Sequence, residues 1–304
     1  MQNFIVIAVF LSLGALCKRV FALPEKAPLY INQFIINVTL PAVILLKLPQ
    51  LTLDRNALLP ALTPWLLAAL LAPLVLWLAR RLAWSRELTG AVLVLAVYGN
   101  SSYFGFPMVR AFFGGTGMPY AIMFDQLGNF IMLAVGMPLL LAHFGGGGQP
   151  VSAAAMVKRV FGFPPFYALL AGLALNGVTW PVFIALPLSW LGLLLAPLAM
   201  FIVGLQLSWQ VPAQLRGPLG VVLVARLLLS PALVLLFCVL AGNRELAARV
   251  TVFEAGMPTM VTAAIMALGA DLVPRLCTAA VGFGLGLALL TLPLWFALAN
   301  WLLV

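Results

Sequence analysis

Residues 97–108 read Val97-Tyr-Gly-Asn-Ser-Ser-Tyr-Phe-Gly-Phe-Pro-Met108 and lie inside a long apolar segment. Residues that favour turns or break helices are concentrated in this stretch: Gly99, Asn100, Ser101, Ser102, Gly105 and Pro107. Lipid offers an open backbone no hydrogen bonds, so an interruption at that depth needs protein or a ligand to satisfy the free N–H and C=O groups. The stretch therefore predicts a membrane helix that is broken and completed by other parts of the molecule.

The composition of the chain places it in a membrane. Of the 304 residues, 64% are hydrophobic and only 8% are charged, and the mean hydropathy is +1.16. Soluble proteins carry about a quarter of their residues as charged side chains. The net charge of +9 comes from single basic residues and pairs, which indicate membrane topology rather than nucleic-acid binding. We expect an all-α polytopic membrane protein with the lipid bilayer, and no nucleic acid, as a partner.

Ten apolar stretches approach the length of about 20 residues that crosses a bilayer. They are 3–17, 28–48, 59–79, 87–113, 117–141, 163–180, 183–208, 217–241, 244–269 and 273–303. The first is expected to remain as a span, because Lys18 and Arg19 follow it instead of preceding it as in a signal peptide. Loops after the odd-numbered stretches carry twice as many Lys and Arg residues as the other loops. The positive-inside rule then predicts that both termini lie outside the cytoplasm.

A hydrophilic, Gly-rich linker at 143–160 divides the chain into halves at 1–142 and 161–304, each with five spans. Two halves that share a fold and contain an odd number of spans must be inserted upside down relative to each other. The sequence supports this repeat, because Pro41 and Asn100 have the same separation as Pro197 and Gly256. We therefore predict two inverted five-helix repeats, with scaffold and transport subdomains interleaved across both and the fourth and ninth helices broken. Such helices cross near the membrane midplane in secondary transporters.

The second break, Phe253-Glu-Ala-Gly-Met-Pro-Thr259, repeats the chemistry of the first. In each case the preceding helix is about 17 Å long, roughly half the hydrocarbon thickness. New half-helices that start at such breaks present free N–H groups and the positive end of the helix dipole, which favour an anion. The candidate substrate-binding residues are Asn100, Ser101, Ser102, Pro107, Gly256, Pro258, Thr259 and, next to Pro41, Asn37.

Ionisable residues inside spans are the next candidates, because each costs roughly 2.5–3.5 kcal/mol at a helix centre unless it faces an interior. Asp125 shares a helix face with Asn129, and Glu254 adjoins the second break. These groups predict either a Na⁺ site built from oxygen ligands or a proton site at Glu254. The structural alternative is an ion pair of Arg226 with Glu254 or with Asp125.

Catalysis and tightly bound metal are not expected. Cys17, Cys238 and Cys277 are far apart in sequence, His143 is the only histidine, and the spans contain no metalloprotease or paired-aspartate motif. We expect no enzyme activity and no cofactor apart from a coupling ion. Two functional classes remain: a carrier for a small organic anion, and an anion channel or receptor that binds without a carrier cycle.

Four motifs of the chain resemble the auxin efflux carrier family. They are Asn37-Val-Thr-Leu-Pro41, Gly99-Asn-Ser-Ser-Tyr-Phe-Gly-Phe-Pro107, Phe163-Pro-Pro165 and Glu254-Ala-Gly-Met-Pro-Thr259. The resemblance implies a homodimer of inverted repeats in the bacterial inner membrane that carries mono- or dicarboxylates. It also implies that Asn100, Pro107 and Pro258 line the substrate site. Glu254 further resembles the sodium-binding glutamate of bile acid:sodium symporters, so uniport, Na⁺ coupling and H⁺ coupling remain open.

Overall fold

The computed structural model describes residues 2–20, 27–51, 57–145, 152–206 and 210–303, and these residues are predominantly helical. The helices are α1 (Gln2–Val20), α2 (Ala27–Gln50), α3 (Leu58–Arg81), α4 (Arg86–Val97), α5 (Phe106–Phe113), α6 (Met118–Phe144), α7 (Ala153–Phe161), α8 (Pro164–Ala174), α9 (Val182–Gln206), α10 (Ala213–Leu240), α11 (Leu246–Ala255), α12 (Val261–Gly269) and α13 (Pro274–Leu302).

Six helices in the described ranges are long and apolar enough to cross a membrane, namely α2, α3, α6, α9, α10 and α13. The apolar part of α1 (Val6–Lys18) and helix α8 are shorter. The remaining predicted spans are each divided into two short helices, α4 with α5 and α11 with α12. The all-helical membrane fold is thus confirmed, whereas the division into ten spans stays a prediction.

The helices pack as two groups. In the first group, α1 crosses α9 where Gly14 faces Gly204, and α2 packs against both α8 and α9. A Cβ atom added at Gly14 would lie 2.2 Å from the carbonyl oxygen of Phe201, and one at Gly204 would lie 2.2 Å from that of Leu11. The two backbones therefore approach so closely that only glycine fits at the crossing.

The second group surrounds the two broken helices. Helices α3, α6, α10 and α13 pack around α4 and α11. Every residue of α4 from Thr89 to Val97 is buried, and α11 is likewise buried from Val250 to Ala255. Side chains buried on all sides are expected of helices in the middle of a bundle. The breaks at the ends of α4 and α11 consequently lie in the protein interior.

Wide π-helical turns occur within or next to several of the helices. In the described part of the chain they are Ile35–Thr39, Ser101–Gly105, Phe124–Phe130 and Ala225–Leu229. Pro41, Pro107 and Pro231 each stand two residues after one of these turns. Proline lacks an N–H group and its ring clashes with the preceding turn of an α-helix, so a widened turn accommodates it.

Three sequence-based details need correction. Pro41 does not interrupt α2, because the π-helical turn before it lets the helix continue to Gln50. Pro197 does not interrupt α9, which shows only a local irregularity at Leu194. The predicted linker at 143–160 contains helix α7 in its second part, since alanine, methionine, lysine and arginine in that segment favour helix. Its residues 146–151, with most of the glycines, lie outside the described residues.

Candidate functional site

The two breaks meet and satisfy each other's backbone. Gly99 and Thr259 form an antiparallel β-bridge. The backbone N–H of Asn100 donates to the carbonyl oxygen of Pro258 at 2.8 Å, and that of Met260 donates to the carbonyl oxygen of Tyr98 at 2.9 Å. The broken helices therefore cross at their breaks, and each supplies hydrogen bonds that lipid could not give to the other.

Arg226 closes the crossing from one side. Its guanidinium group donates to the carbonyl oxygen of Met257 at 2.9 and 3.1 Å, to that of Ala255 at 3.3 Å and to that of Val97 at 3.4 Å. These carbonyls belong to the carboxyl ends of both α4 and α11, where the helix dipole favours a cation. Arg226 thus links the two broken helices through their main chains.

The predicted ion pair of Arg226 with a carboxylate is not made among the described residues. Both oxygens of Glu254 lack a hydrogen-bond partner there, and the oxygens of Asp125 accept from Ser101 and Gln126. The physical reason is the break itself: carbonyl oxygens released at two helix ends offer Arg226 more acceptors than one carboxylate does. Its position on the π-helical turn Ala225–Leu229 brings it under the crossing.

A polar network supports the other side of the first break. The hydroxyl of Ser101 donates to Asp125 Oδ1 at 2.5 Å, and Gln126 Nε2 donates to Asp125 Oδ2 at 2.7 Å. Asn129 Nδ2 reaches Ser101 Oγ at 2.7 Å and the carbonyl oxygen of Gly99 at 3.2 Å. The sequence correctly placed Asp125 and Asn129 on one face, and this face holds the extended segment of the break in position.

A cavity of about 210 Å³, the crossing cavity, opens beside this network. Its polar lining comes from Asn100, Ser102, Tyr103, Asp125 and Thr262, and its apolar lining includes Ile36, Leu40, Phe130, Leu133, Ala134, Phe163, Met260 and Met266. Asn100 is 1% exposed, and its side-chain Nδ2 has no hydrogen-bond partner among the described residues. A buried amide without a partner is costly, so this donor is suited to a ligand in the cavity.

Glu254 lies behind the break rather than in the lining of the crossing cavity. The side chain is fully buried, and a Cβ atom added at Gly105 would lie 2.7 and 2.8 Å from its two carboxylate oxygens. A charged carboxylate without hydrogen bonds is unfavourable in such surroundings. The described residues contain no cluster of three or more His, Cys, Asp or Glu side chains that could hold a metal ion.

The remaining predicted residues fall into different places. Thr259 donates its hydroxyl to the carbonyl oxygen of Leu95 at 2.9 Å, and Gly256 ends α11. Pro107 does not line the crossing cavity; it stands in the first turn of α5 and faces another cavity. Asn37 is exposed and is not among the residues that line the crossing cavity.

The sequence interpretation missed a contribution from α2 and from the start of α8. The hydroxyl of Tyr103 hydrogen-bonds the side-chain oxygen of Asn32, and the rings of Phe130 and Phe163 stack at 3.8 Å between centroids. The sequence did contain an indication for Phe163, because this residue begins one of the motifs that resemble the auxin efflux carrier family. Tyr103 carried no signal beyond its place in the first break.

Comparison with known proteins agrees with a transport role. A family model described as "Membrane transport protein" matches residues 3–296. An uncharacterized transporter of Methanothermobacter thermautotrophicus is similar to this chain, with 29% identity over 294 residues that cover 95% of each protein. An uncharacterized transporter of Methanocaldococcus jannaschii is 23% identical over 324 residues, covering 100% of this chain and 99% of that protein.

Proposed function

The chain belongs to the membrane transport protein family, to which auxin efflux carrier-like proteins belong, and on that basis we propose that it is a secondary transporter for a small carboxylate. The family indicates an integral membrane protein and a transporter, which is not an enzyme class. We infer that a mono- or dicarboxylate binds in the crossing cavity and is carried by alternating access. The observation that carries this proposal is the buried, unpartnered amide of Asn100 beside the crossed breaks.

The chemistry of the crossing cavity suits a small anion with an apolar part. Asn100 supplies a side-chain donor, and helix α12 begins at Val261 next to the lining residues Met260 and Thr262. A helix start favours negative charge. Asp125 also lines the cavity, but both of its oxygens already accept hydrogen bonds from protein donors. A volume of about 210 Å³ is below the usual range for drug-sized ligands and fits a compact carboxylate.

The division into two packed groups of helices supports the carrier mechanism. We propose that α1, α2, α8 and α9 form a scaffold and that the other spans form a transport subdomain, with inverted repeats at 1–142 and 161–304. The crossing cavity lies between the groups, because Ile36, Leu40 and Phe163 line it from one group and Asn100 and Met260 from the other. In this proposal a homodimer sits in the plasma membrane with both termini outside the cytoplasm.

Glu254 is the proposed coupling residue, and the coupling ion is a proton. A Na⁺ ion would need several oxygen ligands, but the carbonyl oxygens at the helix ends of the crossing already accept hydrogen bonds from Arg226. Glu254 has no such partners among the described residues, so a proton can neutralise it without rearranging the crossing. Coupling to Na⁺ and uniport are the alternatives, and imposed ion gradients separate them.

The channel or receptor alternative differs from the carrier in kinetics. A carrier exposes its site to one side at a time, so uptake saturates and preloaded substrate accelerates exchange. Proteoliposomes that contain the purified protein should therefore show counterflow of labelled malonate. Linear flux without counterflow would identify a channel, and binding without flux would identify a receptor.

Replacing Asn100 with alanine should weaken substrate binding while leaving the fold intact. Its Nδ2 is buried and has no partner among the described residues to lose, so the free energy of unfolding should not fall. The lost hydrogen bond to a charged ligand should raise the Kd for malonate by about tenfold to a hundredfold. Isothermal titration and thermal shift of the detergent-solubilised protein measure the two quantities.

Asn129→Ala is the matched control for this variant. It removes hydrogen bonds to Gly99 and Ser101, so it should lower the melting temperature, which Asn100→Ala should not lower. Unchanged affinity for malonate and related carboxylates in Asn100→Ala would contradict the site.

Replacing Glu254 with glutamine should remove the pH dependence of transport. In the wild type, an imposed pH gradient should change the initial rate of malonate uptake, and a Na⁺ gradient should not. The glutamine cannot exchange a proton, so Glu254→Gln should respond to neither gradient. Retained pH dependence in the variant would assign the proton to another group, and Na⁺ dependence of the wild type would replace the proton with a metal cation.

A further inference from the structure

A second cavity, of about 350 Å³, lies on the α5 side of the first break. We call it the basic cavity, because Lys47 and Arg110 both line it. The other described lining residues contain no aspartate or glutamate, and Ser189 is the polar side chain among them. The described lining is therefore apolar apart from two cations and one hydroxyl group.

The two cations come from opposite walls. Lys47 stands on α2 and Ser189 on α9, within the first group of helices, whereas Arg110 stands on α5 beside the break. Lys47 Nζ lies close to the loop after α5, since a Cβ atom added at Gly115 would be 3.3 Å from it. Both basic side chains are half-buried. An anion that enters the cavity can therefore contact one basic side chain on each wall.

The basic cavity and the crossing cavity lie on the same broken helix. The crossing cavity is lined by Asn100, Ser102 and Tyr103, and the basic cavity by Phe106, Pro107 and Arg110 a few residues later. Ser102 and Tyr103 belong to the π-helical turn Ser101–Gly105, and Phe106 and Pro107 follow this turn directly. The two cavities are therefore lined by consecutive parts of one broken helix.

We propose that the basic cavity is a second anion site, which binds a small carboxylate between Lys47 and Arg110. The inference rests on the proposed function in one respect, namely that the anion is of the class transported. Lys47 and Arg110 then form a cationic vestibule that attracts the anion on this side of the break, while the crossing cavity holds it by neutral donors. The hydroxyl of Ser189 already donates to the carbonyl oxygen of Leu186 at 2.7 Å, so the two basic side chains are the donors for the anion.

The charge of the cavity can be tested without transport by introducing a thiol with the substitution Ser189→Cys. Cys17→Ser removes the partly exposed native thiol, and Cys238 and Cys277 are buried. In the detergent-solubilised protein, the introduced thiol should react faster with an anionic thiosulfonate reagent than with a cationic one, by about tenfold after correction for their intrinsic rates. Malonate should slow both reactions by occupying the cavity.

Matched variants identify the residues responsible. Lys47→Gln with Arg110→Gln should abolish the preference for the anionic reagent and the protection by malonate. Lys47→Arg keeps the charge and should retain both effects, as should Arg275→Gln, which removes an exposed arginine away from the cavity. Equal reactivity with both reagents in the parent protein, or no protection by malonate, would overturn the proposal.

Failure of this proposal is distinguishable from failure of the proposed function. In one outcome, Asn100→Ala weakens malonate binding, but the Lys47→Gln, Arg110→Gln variant has the wild-type half-saturating malonate concentration at both membrane faces. The transporter proposal then stands and the second site is wrong. If the basic cavity shows its reagent preference and malonate protection while Asn100→Ala is inert, the crossing site is wrong. For the Lys47→Gln, Arg110→Gln variant, we expect the malonate concentration that half-saturates uptake to rise by about tenfold when malonate is added at one membrane face only.

Discussion

Replacement of Arg226 with alanine should destabilise the protein far more than the loss of an exposed charge. Arg226 is 2% exposed and donates to main-chain carbonyls of Val97, Ala255 and Met257. Each carbonyl that loses its donor in a buried place costs roughly 1–3 kcal/mol. The melting temperature in detergent should therefore fall by about 10 °C, and transport should be lost with it.

Chemical rescue distinguishes this role from a general packing defect. Methylguanidinium at millimolar concentration can enter the space left by Arg226→Ala and should restore part of the lost melting temperature, because it binds the folded state. Arg226→Lys should be intermediate, since an ammonium group lacks the planar fork of donors that reaches both helix ends. Arg249→Ala is the control: this half-buried arginine of α11 donates to the side chain of Asn300 at 2.9 Å and should cost little. No rescue, together with an equal loss in Arg249→Ala, would contradict the assignment.

Much of the site's chemistry was predictable from the sequence, because lipid imposes a strict rule on exposed backbone. Two apolar segments contain residues that disfavour a continuous helix, namely Gly99 with Asn100 and Gly256 with Pro258. These residues indicated the two breaks. The positions of those breaks agree with the ends of the helices at Val97 and Ala255. The main-chain hydrogen bond from Asn100 to Pro258 gives partners to backbone groups at the breaks that lipid could not supply.

The role of Arg226 was not predictable in the same way. A sequence gives no distance between helices, so a buried arginine and two buried carboxylates suggested an ion pair. The structure instead brings Arg226 to carbonyl oxygens that exist as free acceptors only because both helices end there. The sequence therefore indicated that Arg226 is buried. It did not indicate which groups accept hydrogen bonds from Arg226, because these carbonyl oxygens are free only where the two broken helices cross.

Asn37 was misplaced because its assignment depended on a break at Pro41. The π-helical turn Ile35–Thr39 accommodates this proline, so α2 continues past it. Ile36 and Leu40, one helical turn apart, line the crossing cavity, whereas Asn37 is exposed. The proline that follows each of three such turns is a sequence signal, but proline also occurs inside α3 without one. A widened turn that lets a helix continue past a proline was consequently not predictable.

Replacement of Gly99 with alanine should be far more damaging than replacement of Gly256, although both glycines mark a break. A Cβ atom at Gly99 would lie 2.0 Å from Arg226 Nη2, which hydrogen bonds hold in place, whereas the nearest atoms to a Cβ at Gly256 lie at 3.4 Å. Overpacking of this kind costs typically about 1–3 kcal/mol. Gly99→Ala should therefore lower the melting temperature by several degrees and reduce malonate uptake, and Gly256→Ala should resemble the wild type.

A double-mutant cycle identifies the cause of the Gly99 effect. If the methyl group acts by displacing the guanidinium, Gly99→Ala should cost little in a protein that already carries Arg226→Ala, so the two effects are strongly non-additive. Additive losses would instead mean that the methyl group disturbs the β-bridge between Gly99 and Thr259 independently of the arginine. Gly105→Ala provides a graded comparison, because its Cβ would meet the end of the Glu254 side chain at 2.7 Å, which can move. The expected order of destabilisation, Gly99 above Gly105 above Gly256, follows from how firmly each neighbouring group is held.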